Sequence, residues 1–271
     1  MTQLKIATFN VNSVKSRLPI LDTWLTTEEA PDILCLQETK CQDHDFPAEH
    51  FETLGYKCYY KGMKSYNGVA IITKIEPTEI EFGLTDDKAT PEKEESEKAR
   101  VIRIKIGNLN IYNTYIPQGK AIDNPDYPYK LDFFARFKQM IDKQNTPQGK
   151  LLWVGDLNIA PTDIDVTNPK TKKDHACFHI DVKNAFTDVM SWGLTDIFRQ
   201  HRPQEGEFTF WDYRVKNSLE RNIGWRIDHI IGTEKVATHC TKVEVKRDLR
   251  AMERPSDHTA VVVYIDKEIT K

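Results

Sequence analysis

Nine short runs rich in Val, Ile and Leu, spread over the whole chain, constrain the fold more than any other feature. They cover residues 4–11, 33–37, 56–60, 68–73, 101–106, 109–115, 151–155, 226–231 and 260–265, and each has the length and composition of a buried or half-buried strand. Helical spacing lies between them: Leu18, Leu21 and Leu25 within 16–25, and Leu131, Phe134, Phe137 and Ile141 within 127–144. Phe186 and Val189 mark a helix over 183–192, and 195–201 reads as a short further one. Strands and helices do not alternate strictly. Gly107-Asn108-Leu109 predicts a hairpin and Asn67-Gly68 a turn before a strand. This order favours an α/β fold of two packed, mainly antiparallel sheets with helices outside, over a doubly wound parallel sheet.

With 271 residues, 39% hydrophobic and 10% aromatic, the chain can bury a substantial core, and we expect a single catalytic domain over 1–271. The charged patch 86–97 (DDKATPEKEESE) is expected to be a solvated loop without function. No apolar run approaches a bilayer span, and the strand pattern begins at the N-terminus without a signal-peptide region. The five cysteines show no CxxC pair, which predicts free thiols, a cytoplasmic location and no structural zinc. A net charge of −3 excludes a protein coated non-specifically in nucleic acid. It does not exclude a nuclease, whose acidic site offsets a basic rim.

Polar residues gather at the ends of these strands. Asn10 and Asn12 follow the first, Gln37-Glu38 the second, and Asn113 and Tyr115 close 109–115; Asp156 and Asn158 follow 151–154, Asp228 interrupts 225–231, and Asp257-His258 precede the last. A carboxylate beside an apolar strand is costly to bury without a partner. One such residue is commonly a turn or cap; four carboxylates with several amides and one histidine are not. Converging strand ends would make a hard-oxygen pocket suited to Mg²⁺ or Mn²⁺, and the set lacks the His and Cys content of a zinc site.

The segments Thr8-Phe9-Asn10-Val11-Asn12, Leu36-Gln37-Glu38-Thr39-Lys40, Asn67-Gly68-Val69-Ala70-Ile71, Tyr115-Ile116-Pro117-Gln118-Gly119, Gly155-Asp156-Leu157-Asn158-Ile159-Ala160-Pro161, Phe208-Thr209-Phe210-Trp211-Asp212-Tyr213-Arg214, Gly224-Trp225-Arg226-Ile227-Asp228 and Pro255-Ser256-Asp257-His258 run in order along nearly the whole chain. Through them the protein resembles the exonuclease III family of apurinic/apyrimidinic endonucleases, within the endonuclease/exonuclease/phosphatase superfamily. The resemblance implies a four-layer α/β sandwich. It also implies a Mg²⁺-dependent DNA repair phosphodiesterase, with Mn²⁺ as a substitute, that cuts 5′ of abasic sites and has 3′-phosphatase, 3′-phosphodiesterase and 3′→5′ exonuclease activity.

The same resemblance implies residue roles. Glu38 is the principal metal ligand, with Asn10 and Asp257 in the same pocket; Asp156 and Asn158 orient the attacking water at the metal; Tyr115 hydrogen-bonds the scissile phosphate; Asp228 fixes and charges His258. Asp156 and the His258–Asp228 pair are both open as general base, with Asp156 preferred, and one or two metals remain open. Phe210, Trp225 and Ile227 match an apolar pocket for a flipped, baseless sugar. Lys15, Arg17, Lys61, Lys64, Lys120, Trp211, Arg214, Lys216 and Arg221 are the DNA-binding candidates. The expected partner is double-stranded DNA with abasic sites or blocked 3′ ends, bound by a monomer away from any membrane.

Two departures stand out. Cys177, in the loop 163–178, stands where relatives often carry Gly or Ser, and is read as a tolerated small residue; Asn12 stands where some relatives have Asp. The alternatives are a superfamily phosphodiesterase or phosphatase on RNA or small phosphate esters, or a catalytically inactive DNA-binding homologue. The redox-regulatory extension of eukaryotic relatives is not expected.

Overall fold

The computed structural model describes residues 3–86, 88 and 91–271; Met1 and Thr2, and residues 87, 89 and 90 of the charged patch, lie outside the described residues. Among the described residues, twelve strands form two six-stranded sheets. The strands are β1 (Gln3–Asn10), β2 (Ile33–Gln37), β3 (Lys57–Lys61), β4 (Val69–Thr73), β5 (Glu79–Phe82), β6 (Val101–Ile106), β7 (Leu109–Tyr115), β8 (Leu151–Asp156), β9 (Leu194–Asp196), β10 (Asp228–Thr233), β11 (Cys240–Val245) and β12 (Val261–Asp266). The helices are α1 (Val14–Leu25), α2 (Ala48–Thr53), α3 (Pro91–Lys98), α4 (Asp126–Gln144), α5 (Ile180–Met190), α6 (Ile197–His201), α7 (Glu234–Ala237) and α8 (Arg247–Arg250).

One sheet runs β11-β12-β1-β2-β4-β3 and the other β5-β6-β7-β8-β10-β9. Among the described residues, only β1–β2 and β7–β8 pair in parallel; the other pairings are antiparallel. The central strands are apolar on both faces, which is why they read as continuous runs. In β1, Leu4 and Ile6 face the layer between the sheets, while Ala7 and Phe9 face the outer layer with Leu21 and Trp24 of α1. In β8, Leu152 and Val154 point inward, and Leu151 and Trp153 outward against α4 and α5. Phe137 of α4 lies 4.5 Å from Trp153, centroid to centroid, a contact that contributes about 1 kcal/mol beyond area burial. The result is helix, sheet, sheet, helix: the four layers expected.

The structure corrects several sequence expectations. Residues 86–97 are not simply a solvated loop. They end in α3, whose Glu97 is buried and joins Asp86 on Arg136 of α4, at 2.7 Å and 2.6 Å. The strand expected over 226–231 begins at Asp228, because Arg226 turns aside to donate its N–H to the Asp165 carbonyl at 2.8 Å. The first residues of the helix expected over 195–201 instead pair as β9 with β10. The helix expected over 183–192 starts at Ile180, where His179 Nδ1 accepts the Asp181 N–H. Among the described residues, no helix is long and apolar enough to cross a membrane.

Candidate active site

The ends of β1, β2, β7 and β8 and the starts of β10 and β12 meet at one edge of the sandwich. After β2 ends at Gln37, Glu38 takes a left-handed backbone (φ 51°), which turns the chain and lets its carbonyl accept the Ser13 N–H at 2.8 Å. Asn10 then donates from one amide nitrogen to both Glu38 Oε1 and Asp156 Oδ2, at 2.9 Å each. It thereby links the two sheets, and it presents its NH₂ rather than its oxygen to the carboxylates. Lys40 Nζ lies 2.7 Å from Glu38 Oε2 and donates to Asn12 Oδ1, while Asn12 Nδ2 donates to Asp257 Oδ1 at 3.0 Å. Ser256 Oγ donates to the Asn10 carbonyl at 2.7 Å and accepts the His258 N–H, which seats Asp257 and His258 beside β1.

From the other sheet, Gly155 places Asp156. Its φ of 138° suits glycine, and a Cβ there would lie 2.0 Å from the Thr114 carbonyl oxygen of β7. Asp156 Oδ1 accepts the N–H of Asn158, itself left-handed (φ 51°), and Asn158 Nδ2 donates to the Ile116 carbonyl at 3.0 Å. Asp228, register partner of Asp156, accepts from His258 Nδ1 at 2.8 Å, and His258 Nε2 lies 3.8 Å from Asp156 Oδ2. Among the described residues, the other Asp228 oxygen is buried with no hydrogen-bond partner.

Burial sets the electrostatics. It drives the Asp156 carboxyl above the ordinary carboxylate range, against the pull of His258 and with the push of Asp228 and Glu38. Burial pulls His258 down, but Asp228 and Asp156 more than reverse it and hold the imidazole charged well above its usual range. Burial likewise raises Glu38, yet Lys40 and Asn10 bring it below the usual value. Tyr115 is raised by burial and by Glu38, so its phenol stays a donor. Two neighbouring carboxyls are therefore pushed apart: one acidic, one basic.

Glu38, Asp156 and His258 each bring a ligand atom within 4.8 Å of the others, a cluster able to hold a metal ion. Because His258 is held protonated, the donors that fit are the carboxylates, a hard-oxygen set.

A cavity of about 600 Å³ joins this charged end to an apolar one. Glu38, Tyr115, Asp156, Asn158, Asp257 and His258 line the first part; Phe210, Trp225 and Ile227 line the second. Asn10 and Asp228, both 0% exposed, stand behind the wall. Phe210 packs on His258, with ring centroids 4.8 Å apart, so the two ends share a boundary. Cys177 also lines the cavity, largely buried, with its sulfur near Asn158, Gln118 and Lys130.

The DNA-binding candidates divide. Lys120 and Arg214 reach the cavity wall, each paired with an aspartate, Asp126 and Asp212. Lys15 pairs with Asp45, Lys61 with Asp43 and Glu95, and Arg17 contacts the Tyr213 hydroxyl. Lys64, Lys216 and Arg221 are exposed. Trp211 is a correction: it is 0% exposed. Its indole N–H donates to Asn222 Oδ1 and Arg247 stacks on its ring, so it supports the wall and cannot touch a ligand.

Sequence reasoning missed the supports. Asp165, 0% exposed, binds the fully buried Arg226 at 2.6 Å and also Arg199, while Arg226 reaches Asp196 at 2.8 Å. This network fixes the segment carrying Trp225, Ile227 and Asp228. Lys40 stands in one of the family segments, but its sequence neighbours give it no role. Arg226, charged within a strand-like run, is the visible signal for the network.

Residues 7–258 match the Endonuclease/Exonuclease/phosphatase family. Exodeoxyribonuclease III of Haemophilus influenzae is 33% identical over 269 residues, covering 95% of this chain and 98% of its own. An AP endonuclease structure from Archaeoglobus fulgidus superimposes with TM-score 0.91 at 41% identity, covering 97% of this chain and 99% of its own. A 3′ phosphatase from Neisseria, bound to a product DNA hairpin, does so with TM-score 0.87 at 35% identity, covering 97% and 99%. The converging strand ends, the two stacked sheets and the extent of these matches agree: the chain belongs to the endonuclease/exonuclease/phosphatase family, among the exodeoxyribonuclease III and AP endonuclease relatives.

Proposed function

We propose that this protein is a Mg²⁺-dependent DNA repair phosphodiesterase that cuts the backbone 5′ of abasic sites, leaving a 3′-hydroxyl, and also trims blocked 3′ ends. One observation carries the reading: a hydrolytic carboxylate–imidazole end and an apolar end lined by Phe210, Trp225 and Ile227 share one cavity. The apolar end suits a deoxyribose without its base, and rejects a full nucleotide by size. The Neisseria relative's description as a 3′ phosphatase supports the end-trimming activity.

Hydrolysis of the phosphodiester builds negative charge on the non-bridging oxygens and on the leaving 3′-oxygen. Asp156, its carboxyl raised by burial, is the stronger base of the pocket and takes the proton of the attacking water. Asn158 orients that water. Protonated His258, held by Asp228, and the Tyr115 phenol donate to the phosphate. Glu38 and Asp257 would hold the metal, with Asn10 bridging Glu38 and Asp156; bound there, a Mg²⁺ ion, or Mn²⁺ in its place, would supply Lewis-acid stabilisation of the phosphate charge. Lys15, Arg17, Lys61, Lys64, Lys120, Arg214, Lys216 and Arg221 form the rim that holds the duplex. We read the chain as a single catalytic domain acting as a monomer, and the free state of all five cysteines supports a reducing, cytoplasmic compartment.

The test uses matched duplexes carrying an abasic analogue, a 3′-phosphate or a recessed normal 3′ end, beside an inositol phosphate, with Mg²⁺ or chelator. Metal-dependent nicking of the abasic duplex is expected. Turnover of the inositol phosphate with the abasic duplex left intact would reject the reading.

A further inference from the structure

Lys130 is 0% exposed, although α4 could have filled this position with a leucine or methionine. It lies on the helix face that also carries Tyr127, Phe134, Phe137 and Ile141. Its Nζ donates to three backbone carbonyls, one in the β7–α4 loop and two at opposite ends of the β8–α5 connection: Gln118 at 3.1 Å, Asn158 at 2.7 Å and Ala176 at 2.9 Å. Those bonds use every hydrogen an ammonium has. Among the described residues, no carboxylate lies within hydrogen-bond distance of Nζ, and its one other polar neighbour is Cys177 Sγ at 3.8 Å. The aliphatic stem passes over Gly119, where a Cβ would stand 3.1 Å from Lys130 Cδ.

Burying a cation without a counter-charge is costly, and the three carbonyl hydrogen bonds, which an apolar side chain would leave unmade, offset that cost. The group is therefore explained by geometry. Gln118 follows Tyr115, Asn158 follows Asp156, and Ala176 precedes Cys177 in the cavity wall. Asn158 has a left-handed backbone, a conformation that surroundings must hold. Its N–H and side-chain amide are held by Asp156 and Ile116, and Lys130 holds its carbonyl.

We infer that Lys130 is a positioning residue for phosphodiester hydrolysis, a three-way clamp that sets Asn158 and the 176–178 wall in register for the reaction. The inference rests on the role given to Asn158 in the proposed function. It acts on turnover rather than on DNA grip, because the basic rim lies elsewhere.

The experiment compares Lys130→Met, Lys130→Gln, Asn158→Ala and the Lys130→Met/Asn158→Ala double variant on abasic duplex with Mg²⁺, measuring kcat, KM and melting temperature. Lys130→Met is expected to lose about 10- to 100-fold in kcat, the effect of a sub-ångström to 1 Å misplacement, at unchanged KM. Lys130→Gln, which keeps two donors, should fall between it and the wild type, and carries the comparison if Lys130→Met does not fold. The double variant should lose little more than Asn158→Ala alone, because both changes disable one unit. Additive losses, or a Lys130 variant with wild-type kcat beside a crippled Asn158→Ala, would overturn the clamp while leaving the site reading intact. Wild-type kcat in Asn158→Ala would remove both.

Discussion

His258 Nδ1 lies 2.8 Å from Asp228 Oδ2, and nothing else among the described residues binds that carboxylate by its side-chain oxygens. The Asp228 carboxylate thus serves the imidazole alone, keeping it oriented and charged. Removing its charge in Asp228→Asn lowers the His258 pKa, so the alkaline limb of a kcat–pH profile should move to lower pH. At pH 8 turnover should fall by at least ~10-fold, the scale of a weakened general acid–base group. An alkaline limb that stays in place would contradict the assignment.

Asp156 carries the raised carboxyl of the pocket, and a base must be unprotonated to act. Activity in the wild type should therefore rise with pH through a value above the ordinary carboxylate range. Asp156→Asn should lower kcat by at least ~10²-fold with the circular dichroism spectrum unchanged. Near-wild-type cleavage by the purified variant would exclude Asp156 as the base.

The apolar end should decide lesion choice rather than chemistry. Trp225→Ala or Phe210→Ala opens the wall that, in the proposed function, excludes a full nucleotide. The ratio of kcat/KM on abasic duplex to kcat/KM on a normal recessed 3′ end should fall by about 10-fold or more. Parallel losses on both substrates would assign these rings to support instead.

Asp165 neutralises Arg226 and Arg199 in the interior. Burial opposes its charge, but the two guanidiniums hold its carboxyl far below the usual range. A depressed carboxyl contributes stability above the unfolded-state pKa, which is lost as the pH falls. Asp165→Asn should cost about 3 kcal/mol at pH 7 in urea unfolding, since the buried Arg226 keeps only Asp196 and Arg199 loses its carboxylate. The gap to the wild type should close in acid; a gap independent of pH would rule out an electrostatic origin.

Lys64 and Lys216 are exposed, and neither carries an acidic partner among the described residues. Replacing either with Met should reduce the slope of log affinity against log salt by about 1 if it touches phosphate. Lys15→Met, whose lysine already neutralises Asp45, should change the slope less. Fluorescence anisotropy across a salt series reads both.

Much of this is legible in the sequence, for physical reasons. Strands apolar on both faces, such as β1, β2 and β8, announce themselves, and so do polar residues stranded at their ends. β5 and β11 do not, because they carry Glu, Lys and Thr on exposed faces, the composition that keeps a sheet rim from pairing with other chains. Trp211 misleads because an aromatic beside a pocket motif looks the same whether it faces in or out. Lys130 escapes notice although it interrupts the apolar stripe of α4, since spacing alone does not reveal three carbonyls waiting for a cation.

Asn10 belongs to one sheet, with Glu38 directly after its β2 and His258 ahead of its β12; Tyr115, Asp156 and Asp228 belong to the other. The hydrolytic centre is therefore a seam, and its atoms stay in register only while the two sheets remain pressed together. Catalysis becomes a gauge of that contact: a denaturant that lets the sandwich slide, with every strand still paired, will silence the enzyme before any loss of secondary structure is seen.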